Sequence, residues 1–375
     1  MKFTISSSEL LHGLLAVSRV IAAKNSLPIL DNFLFILKDD LLEITASDLE
    51  ITLKTTVKVD NTEQDGEIAV PAKLLTDTLR EFSEQPLTFE VNSSENIVEI
   101  SWMNGAAQIP FFSADDYPAM ISLSDVAINI DMPSQVLLSG IVNTLYATAD
   151  EELRPVMNGI LFDISTDNIT LVASDAHKLV CYKRKDITSQ ENTSFILPKK
   201  TASILKNLLP KIDDNVKITF DHKNVTFSFD NTYLVSRLVE GNYPPYKAVI
   251  PQNNRSKLTI GRVDLLNSAK RVAVCANQAT SYIRMQLSFN QLIVSAQDLS
   301  FSIAAHETLS CQYDGNPLDL GFKSTFLVEI LNNLHTDEVL IKLEEPNKAV
   351  LILPEGEQDP NEEITALLMP ILINA

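Results

Sequence analysis

Glycine is scarce in this sequence, 10 among 375 residues against a usual share of about 7%, and the ten stand far apart. Neither GxGxxG nor GxxxxGK followed by Ser or Thr can be drawn through them, which excludes Rossmann dehydrogenases and P-loop NTPases. Cysteine is scarcer still. Cys181, Cys275 and Cys311 are odd in number and too widely spaced for a disulfide framework or a CxxC metal site, and they read as reduced thiols. The five histidines show no HxH or HxxxH spacing, so no metal site and no cofactor are expected. The longest apolar stretch, near Leu367–Ile373, falls far short of the ~20 residues that span a bilayer. The opening MKFTISSSELLHGLL lacks a signal-peptide core. A cytoplasmic protein with no membrane partner is expected. Basic charge is also in deficit, 30 Lys and Arg against 49 Asp and Glu for a net −19. Taken as a sum, that argues against a phosphate-binding surface.

What is present is repetition. A strand running into a helix recurs as Phe3-Thr4-Ile5 with Leu10-Leu11, Ile130-Asp131-Met132 with Leu137-Leu138, and Leu258-Thr259-Ile260 with Leu265-Leu266. An alternating strand ends in Asp48, Asp175 and Asp298. A strand end leads into a helix at 70–82, 197–209 and 321–334. Tyr117-Pro118, Tyr243-Pro244 and Met369-Pro370 close the three copies. Landmarks in constant order and near-constant spacing predict three homologous domains, 1–125, 126–252 and 253–375. Each copy reads as two helices among several strands, an α+β domain with its helices on one side of antiparallel sheets. Ser7, Ser8 and Ser134 are expected as N-caps, and 217–230 as a hairpin with one buried face.

The sign of the charge is not evenly spread. Helices expected over 8–24, 72–82, 134–148, 199–211, 262–276 and 323–334 carry twelve basic and five acidic residues, a surplus of seven positive charges in a chain at −19. A helix-lined surface that attracts phosphate, on a body that repels it, accounts for this bias better than solvated helix faces do.

No group of residues argues for an enzyme. Ser174, Asp175 and His177 have triad chemistry, but side chains that alternate across one strand cannot converge on one substrate atom. The paired carboxylates Asp39-Asp40, Asp115-Asp116, Asp213-Asp214 and Glu344-Glu345 fall where turns are expected. The rival readings are a β-rich enzyme on a tandem-repeat scaffold, which would concentrate its functional groups in one copy, and a scaffold that binds no nucleic acid.

Three tandem α+β repeats, the opening MKFT, Leu27-Pro28-Ile29-Leu30, the Ala-Ser-Asp strands and the Met369-Pro370 ending together resemble the bacterial DNA polymerase III beta subunits, the replicative sliding clamps. The resemblance covers the whole chain. It implies a head-to-tail homodimeric ring of six similar domains, with helices lining a hole that holds double-stranded DNA. The implied function is a non-catalytic processivity factor that tethers the replicative polymerase, with the catalytic subunit, the clamp loader and other proteins bearing clamp-binding peptides as partners. Implied DNA-facing residues are Lys24, Lys73, Arg80, Lys199, Lys200, Lys206, Arg262, Lys270 and Arg271. A partner peptide with a Gln and bulky apolar residues would enter a pocket of Arg154, Met157, Ser174, Ala176, His177, Lys178, Leu179, Pro244, Val249, Leu368, Met369, Pro370, Ile371 and Leu372. Gln108–Phe111, with Ile109, and Val274-Cys275 match the family's dimer interface. The chain departs from the family at Ala176, where a Gly is usual, at Ala248, where a basic residue is usual, and in an ending two residues longer, which implies an altered pocket shape.

Overall fold

The computed structural model describes residues 1–124, 127–150 and 153–371. Among these residues six α-helices are formed: α1 (Ser7–Val17), α2 (Ala72–Arg80), α3 (Ser134–Leu145), α4 (Lys199–Leu208), α5 (Arg262–Ala273) and α6 (Ser324–Asn333). Each follows a strand without an intervening loop. Lys2–Ser6, Ile128–Pro133 and Ser256–Gly261 lead into the odd-numbered helices, and Gly66–Pro71, Thr193–Pro198 and Leu318–Lys323 into the even-numbered ones. The expected repeat is thus visible element by element.

Contacts divide the chain into two compact units, Met1–Leu137 with Ser203–Leu238, and Leu138–Ala202 with Val239–Ala375. The cut passes through α3 and α4, so the middle repeat contributes to both. In the first unit, an eight-stranded antiparallel sheet joins strands of the first two repeats, with Thr232–Arg237 pairing Ile51–Lys58 in the register Leu234↔Leu53. A five-stranded sheet ends in Gly105–Pro110, which among the described residues pairs only with Ile97–Trp102. In the second unit, a nine-stranded sheet joins the second and third repeats, Lys178–Arg184 pairing Glu362–Leu368 from Lys178↔Leu368 to Arg184↔Glu362. A four-stranded sheet ends in Ile303–Ser310. The sheets therefore run across the repeat boundaries, and strand alternation buries a continuous apolar face beneath the helices.

One position explains how closely the first helix of each repeat lies on its sheet. A Cβ on Gly13 would stand 3.3 Å from Ile44 Cδ1, and one on Gly140 would stand 2.8 Å from Leu171 Cδ2. The matching residue of α5 is Ser268, fully buried. Only a very small side chain fits there.

The helix starts differ from expectation. Ser6, the residue before α1, makes no side-chain cap bond. The first residue of each odd helix is instead tied to the loop after the even helix of its own repeat. Ser7 N donates to Gln85 O at 2.9 Å, Ser134 N to Asp214 O at 3.2 Å and Arg262 N to Asp337 O at 2.8 Å. The side chains follow the same route, Ser7 Oγ to Ser83 O, Ser134 Oγ to Ile212 O and Arg262 Nε to Thr336 O. A helix that springs straight from a strand places its first N–H groups beside a neighbouring loop, which satisfies them without a cap. The hairpin at 217–230 forms as expected, from Asn215–Phe220 and Asn224–Phe229.

Candidate functional site

Within the second unit, the turn between strands Ile169–Ser174 and Lys178–Arg184 is held by its own side chains. Ser174 Oγ donates to Lys178 O at 2.9 Å and accepts from Ala176 N. Asp175 Oδ1 accepts from the His177 and Lys178 amides at 2.9 and 2.8 Å. Ala176 is thereby fixed at φ +73°, in the left-handed region that a Cβ disfavours. All three atoms of the suspected triad are engaged in local bonds or directed apart, so the loop is a scaffold.

The scaffold presents His177 outward and turns Lys178 in. The Lys178 side chain is 5% exposed and forms ion pairs with Asp175 at 2.7 Å and with Glu329 of α6 at 3.0 Å. Its ammonium also lies 4.3 Å from the centroid of the Phe326 ring, a cation–π contact. His177 stacks on the same ring at 5.7 Å, and Lys323 Nζ stands 4.8 Å from its centroid. A buried charge with two carboxylates and a ring around it fixes geometry. It is not open to an incoming peptide. This corrects the expectation for Lys178.

Beside this lock, Met369 N donates to His177 O at 2.9 Å, and Ile371 N to Gly321 O at 2.8 Å, which pins the C-terminal stretch alongside the turn. An apolar cluster of Leu161, Val172, Leu179, Cys181, Ile196, Tyr246, Leu351 and Leu367 packs beneath, with Val156, Tyr243 and Ile250 at its margin. Burial pushes the Tyr243 and Tyr246 hydroxyls above their ordinary range, and Tyr246 Oη donates to Asp163 Oδ2 at 2.6 Å.

Of the expected pocket residues, Arg154, Ala176, His177, Val249 and Met369 are exposed, while Pro244, Pro370 and Ile371 are half-buried. Met157, Ser174, Leu179 and Leu368 are buried and can act only as floor and support. Leu372 lies outside the described residues. Val249 at 57% and Met369 at 41% are exposed apolar side chains that follow closely in the chain on Tyr246 and Leu367 of the buried cluster, and exposed apolar groups beside a buried apolar floor suit bulky apolar anchors. Sequence reading missed Phe326, Glu329 and Lys323. They sit more than a repeat-length from the turn they support, and no local pattern couples them to it.

The basic residues fall into several classes. Lys73, Arg80, Lys200, Lys206, Lys270 and Arg271 are exposed on α2, α4 and α5. Lys199 pairs with Asp150 at 2.6 Å. Arg271 makes two hydrogen bonds to Glu307, whose carboxyl is held down at about 2 by that guanidinium. Two expectations need correction. Lys24 is exposed but not on a helix, because α1 ends at Val17, where Ser18 turns its hydroxyl back to Leu15 O, so it is the expected helix span that is corrected. Arg262 donates to Thr336 O and Leu331 O and so belongs to the helix tie described above. Helices as formed carry eight basic and four acidic residues, so the positive excess persists but rests on α2, α4 and α5.

Just past the end of α5, Val274 is 79% exposed and Cys275 half-buried. Ile109 is 4% exposed and points into its own unit. Alternation along Gly105–Pro110 turns Gln108 and Pro110 outward instead. The side chain of Ile109 is core, and what this strand offers a neighbour is its backbone edge.

Comparison with known proteins settles the family. Residues 1–121 match the DNA polymerase III beta subunit N-terminal domain, 131–245 its central domain and 247–372 its C-terminal domain. The chain belongs to the DNA polymerase III beta subunit family. It is 26% identical to the beta sliding clamp of Vibrio cholerae over 99% of this chain and 100% of that one. It is 28% identical to the beta sliding clamp of Haemophilus influenzae over 94% and 95%. Among solved structures, the sliding clamp of Pseudomonas aeruginosa bound to griselimycin superposes with a TM-score of 0.94 at 26% identity, covering 100% of both chains. That of Bartonella birtlesii bound to griselimycin gives 0.92 at 27%, again over 100% of both. The three-domain clamp fold, with helices and antiparallel sheets mixed in each domain, is thus common to this chain and these clamps.

Proposed function

We infer that this chain is a DNA sliding clamp, a non-catalytic processivity factor for DNA polymerase III, and that it works as a head-to-tail homodimeric ring around double-stranded DNA in the bacterial cytoplasm. The observation that carries the ring is the pair of open strand edges. The first and second repeats are joined through Ile51–Lys58 and Thr232–Arg237, and the second and third through Lys178–Arg184 and Glu362–Leu368. By repeat position, Ile303–Ser310 of the third copy and Gly105–Pro110 of the first correspond to these joining strands. Both are edges. An unpaired edge on a well-formed sheet invites strand addition, and two chains that satisfy both edges close on themselves.

The three domains are assigned to 1–125, 126–252 and 253–375, and the first of these boundaries falls outside the described residues. Lys24, Lys73, Arg80, Lys199, Lys200, Lys206, Lys270 and Arg271 supply the inward charge. A topologically closed ring needs only weak phosphate contacts, and tight ones would impede sliding. The apolar rim of Val249, Pro244 and Met369 over its buried floor takes the partner peptides of the polymerase catalytic subunit, the clamp loader and other clamp-binding proteins. Replacing Lys200 and Lys206 with Glu, both exposed on α4, tests the charge assignment. Retention on DNA should fall and become more salt-sensitive, while the mass in solution stays at twice 41.6 kDa. Dissociation to monomers would place α4 in an interface and contradict the assignment.

A further inference from the structure

The face of the nine-stranded sheet beyond the apolar pocket carries a cleft of about 680 Å³. At one end it is bounded by Tyr246, Ile250 and Leu351, which belong to the apolar cluster under the pocket or pack against it, so the two are continuous. Its other wall is basic. Lys257 and Lys342 stand directly opposite each other on antiparallel strands, and Lys183 lines the same cleft. Like charges in directly opposed positions repel and weaken a sheet, yet among the described residues none of these three lysines forms an ion pair, in a chain with 49 acidic residues.

The acidic residues that line the cleft are already committed. Asp163 accepts from Tyr246 Oη and pairs with Lys247 at 2.9 Å. Glu362 accepts from Tyr182 Oη and pairs with Arg184 at 3.7 Å. Glu363 pairs with Lys185 at 3.6 Å. Lys183 stands opposite Glu363 across the strand pair, which leaves Lys257 and Lys342 as the ammonium groups of the cleft with no ion pair among the described residues. Its counterpart at the junction of the first and second repeats is smaller, about 390 Å³, and its Lys54 is neutralised by Glu43 at 2.9 Å.

We propose that this cleft seats an acidic segment flanking the apolar anchor of a partner's peptide, with Lys257 and Lys342 as its binding groups. The inference rests on the pocket reading above and adds to it the charge of the partner. Charge complementarity supports an acidic occupant, and continuity with the apolar floor supports one chain crossing both surfaces.

Fluorescence anisotropy with the full-length dimer tests it, using a Gln-plus-apolar core peptide and the same peptide extended at either end by three Glu or by three Gln. On the wild type, one Glu extension should bind about 5–10-fold tighter than the core at low salt, with the gain lost in 0.5 M NaCl as charges are screened. The Gln extensions should bring no gain. In Lys257→Gln with Lys342→Gln the advantage of Glu should vanish while core-peptide affinity stays unchanged. Lys257→Glu alone should abolish the gain and also raise Tm slightly, because it turns a repulsive cross-strand pair into an attractive one. A Glu gain that survives the Gln double variant, or no gain on the wild type while the core binds, overturns the proposal. So does tighter binding of a single-stranded oligonucleotide than of the Glu extension at the same lysines. Failure of the core peptide to bind either protein would overturn the pocket reading and this one with it.

Discussion

The turn after Ser47 in the first repeat and the turn after Ser174 in the second are the same structure put to different ends. In both, a Ser hydroxyl bonds across the turn, the Asp carboxylate collects two backbone amides, and the next residue is forced to positive φ, +77° at Leu49 and +73° at Ala176. In the first repeat Leu49 packs with Leu30, Ala69 and Tyr117, and the turn is sealed. In the second, the same backbone offers a small Ala176 and an exposed His177, and sends Lys178 under Phe326 to Glu329. The third copy leaves Leu299 and Phe301 82% and 73% exposed after Asp298. Local sequence sets the turn. The following three side chains decide whether it is sealed on a core, as at Leu49, locked beneath Phe326, as at Lys178, or left exposed, as at Leu299 and Phe301.

The comparison breaks most sharply at Lys178. Lys178→Ala leaves Asp175 and Glu329 without their shared cation and should lower stability by about 2–3 kcal/mol, discounted for the 44% exposure of Glu329. A lower urea midpoint at constant slope would show it, together with weaker peptide binding through the displaced Phe326 and His177. An unchanged midpoint would mean that the ion pairs contribute nothing net.

A smaller effect separates the two strained residues. Ala176→Gly relieves the left-handed backbone and should stabilise by about 0.5–1 kcal/mol. Leu49→Gly relieves the same strain but loses packing on Leu30, Ala69 and Tyr117, so no gain in Tm should follow. Equal gains at both sites would show that Leu49 packing is immaterial.

The smallest effect concerns titration. Burial pushes the Cys181 thiol up to about 12 and the Tyr117, Tyr182, Tyr243 and Tyr246 hydroxyls above their ordinary range. In the unfolded chain these groups ionise near pH 8.5–10. Folded protein holds the extra protons, so stability is full below about pH 8.5 and declines as pH rises beyond it. Cys181 should also resist maleimide at pH 8 while the half-buried Cys311 reacts. Fast labelling of Cys181 would contradict its burial.

Much of this was legible in the sequence because the information was local or periodic. The three repeats, the strand-into-helix starts and the Asp turns all follow from short patterns, and the helices appear within a few residues of where alternation and apolar spacing put them. What was not legible depended on distance in the chain. The span of α1 was overestimated because Ser18 and the following turn stop a pattern that remains apolar through Val20 and Ile21. Arg262 read as surface charge because its acceptors, Leu331 O and Thr336 O, lie on another element. Ile109 read as interface because the family position fixes the strand, whereas strand parity fixes which way its side chain points. Lys178 read as a ligand contact because Glu329 and Phe326 are far away in sequence.

The central claim is topological, and retention on closed against cut DNA tests it most directly. Loaded onto a nicked circular plasmid by a clamp loader, the protein should co-elute with the DNA at moderate salt. Linearising the plasmid at a single site should release it within minutes, because a ring held by weak phosphate contacts slides off an open end. Retention on the linear form equal to that on the circle would mean that binding is by contact and not by encirclement, and would contradict the account.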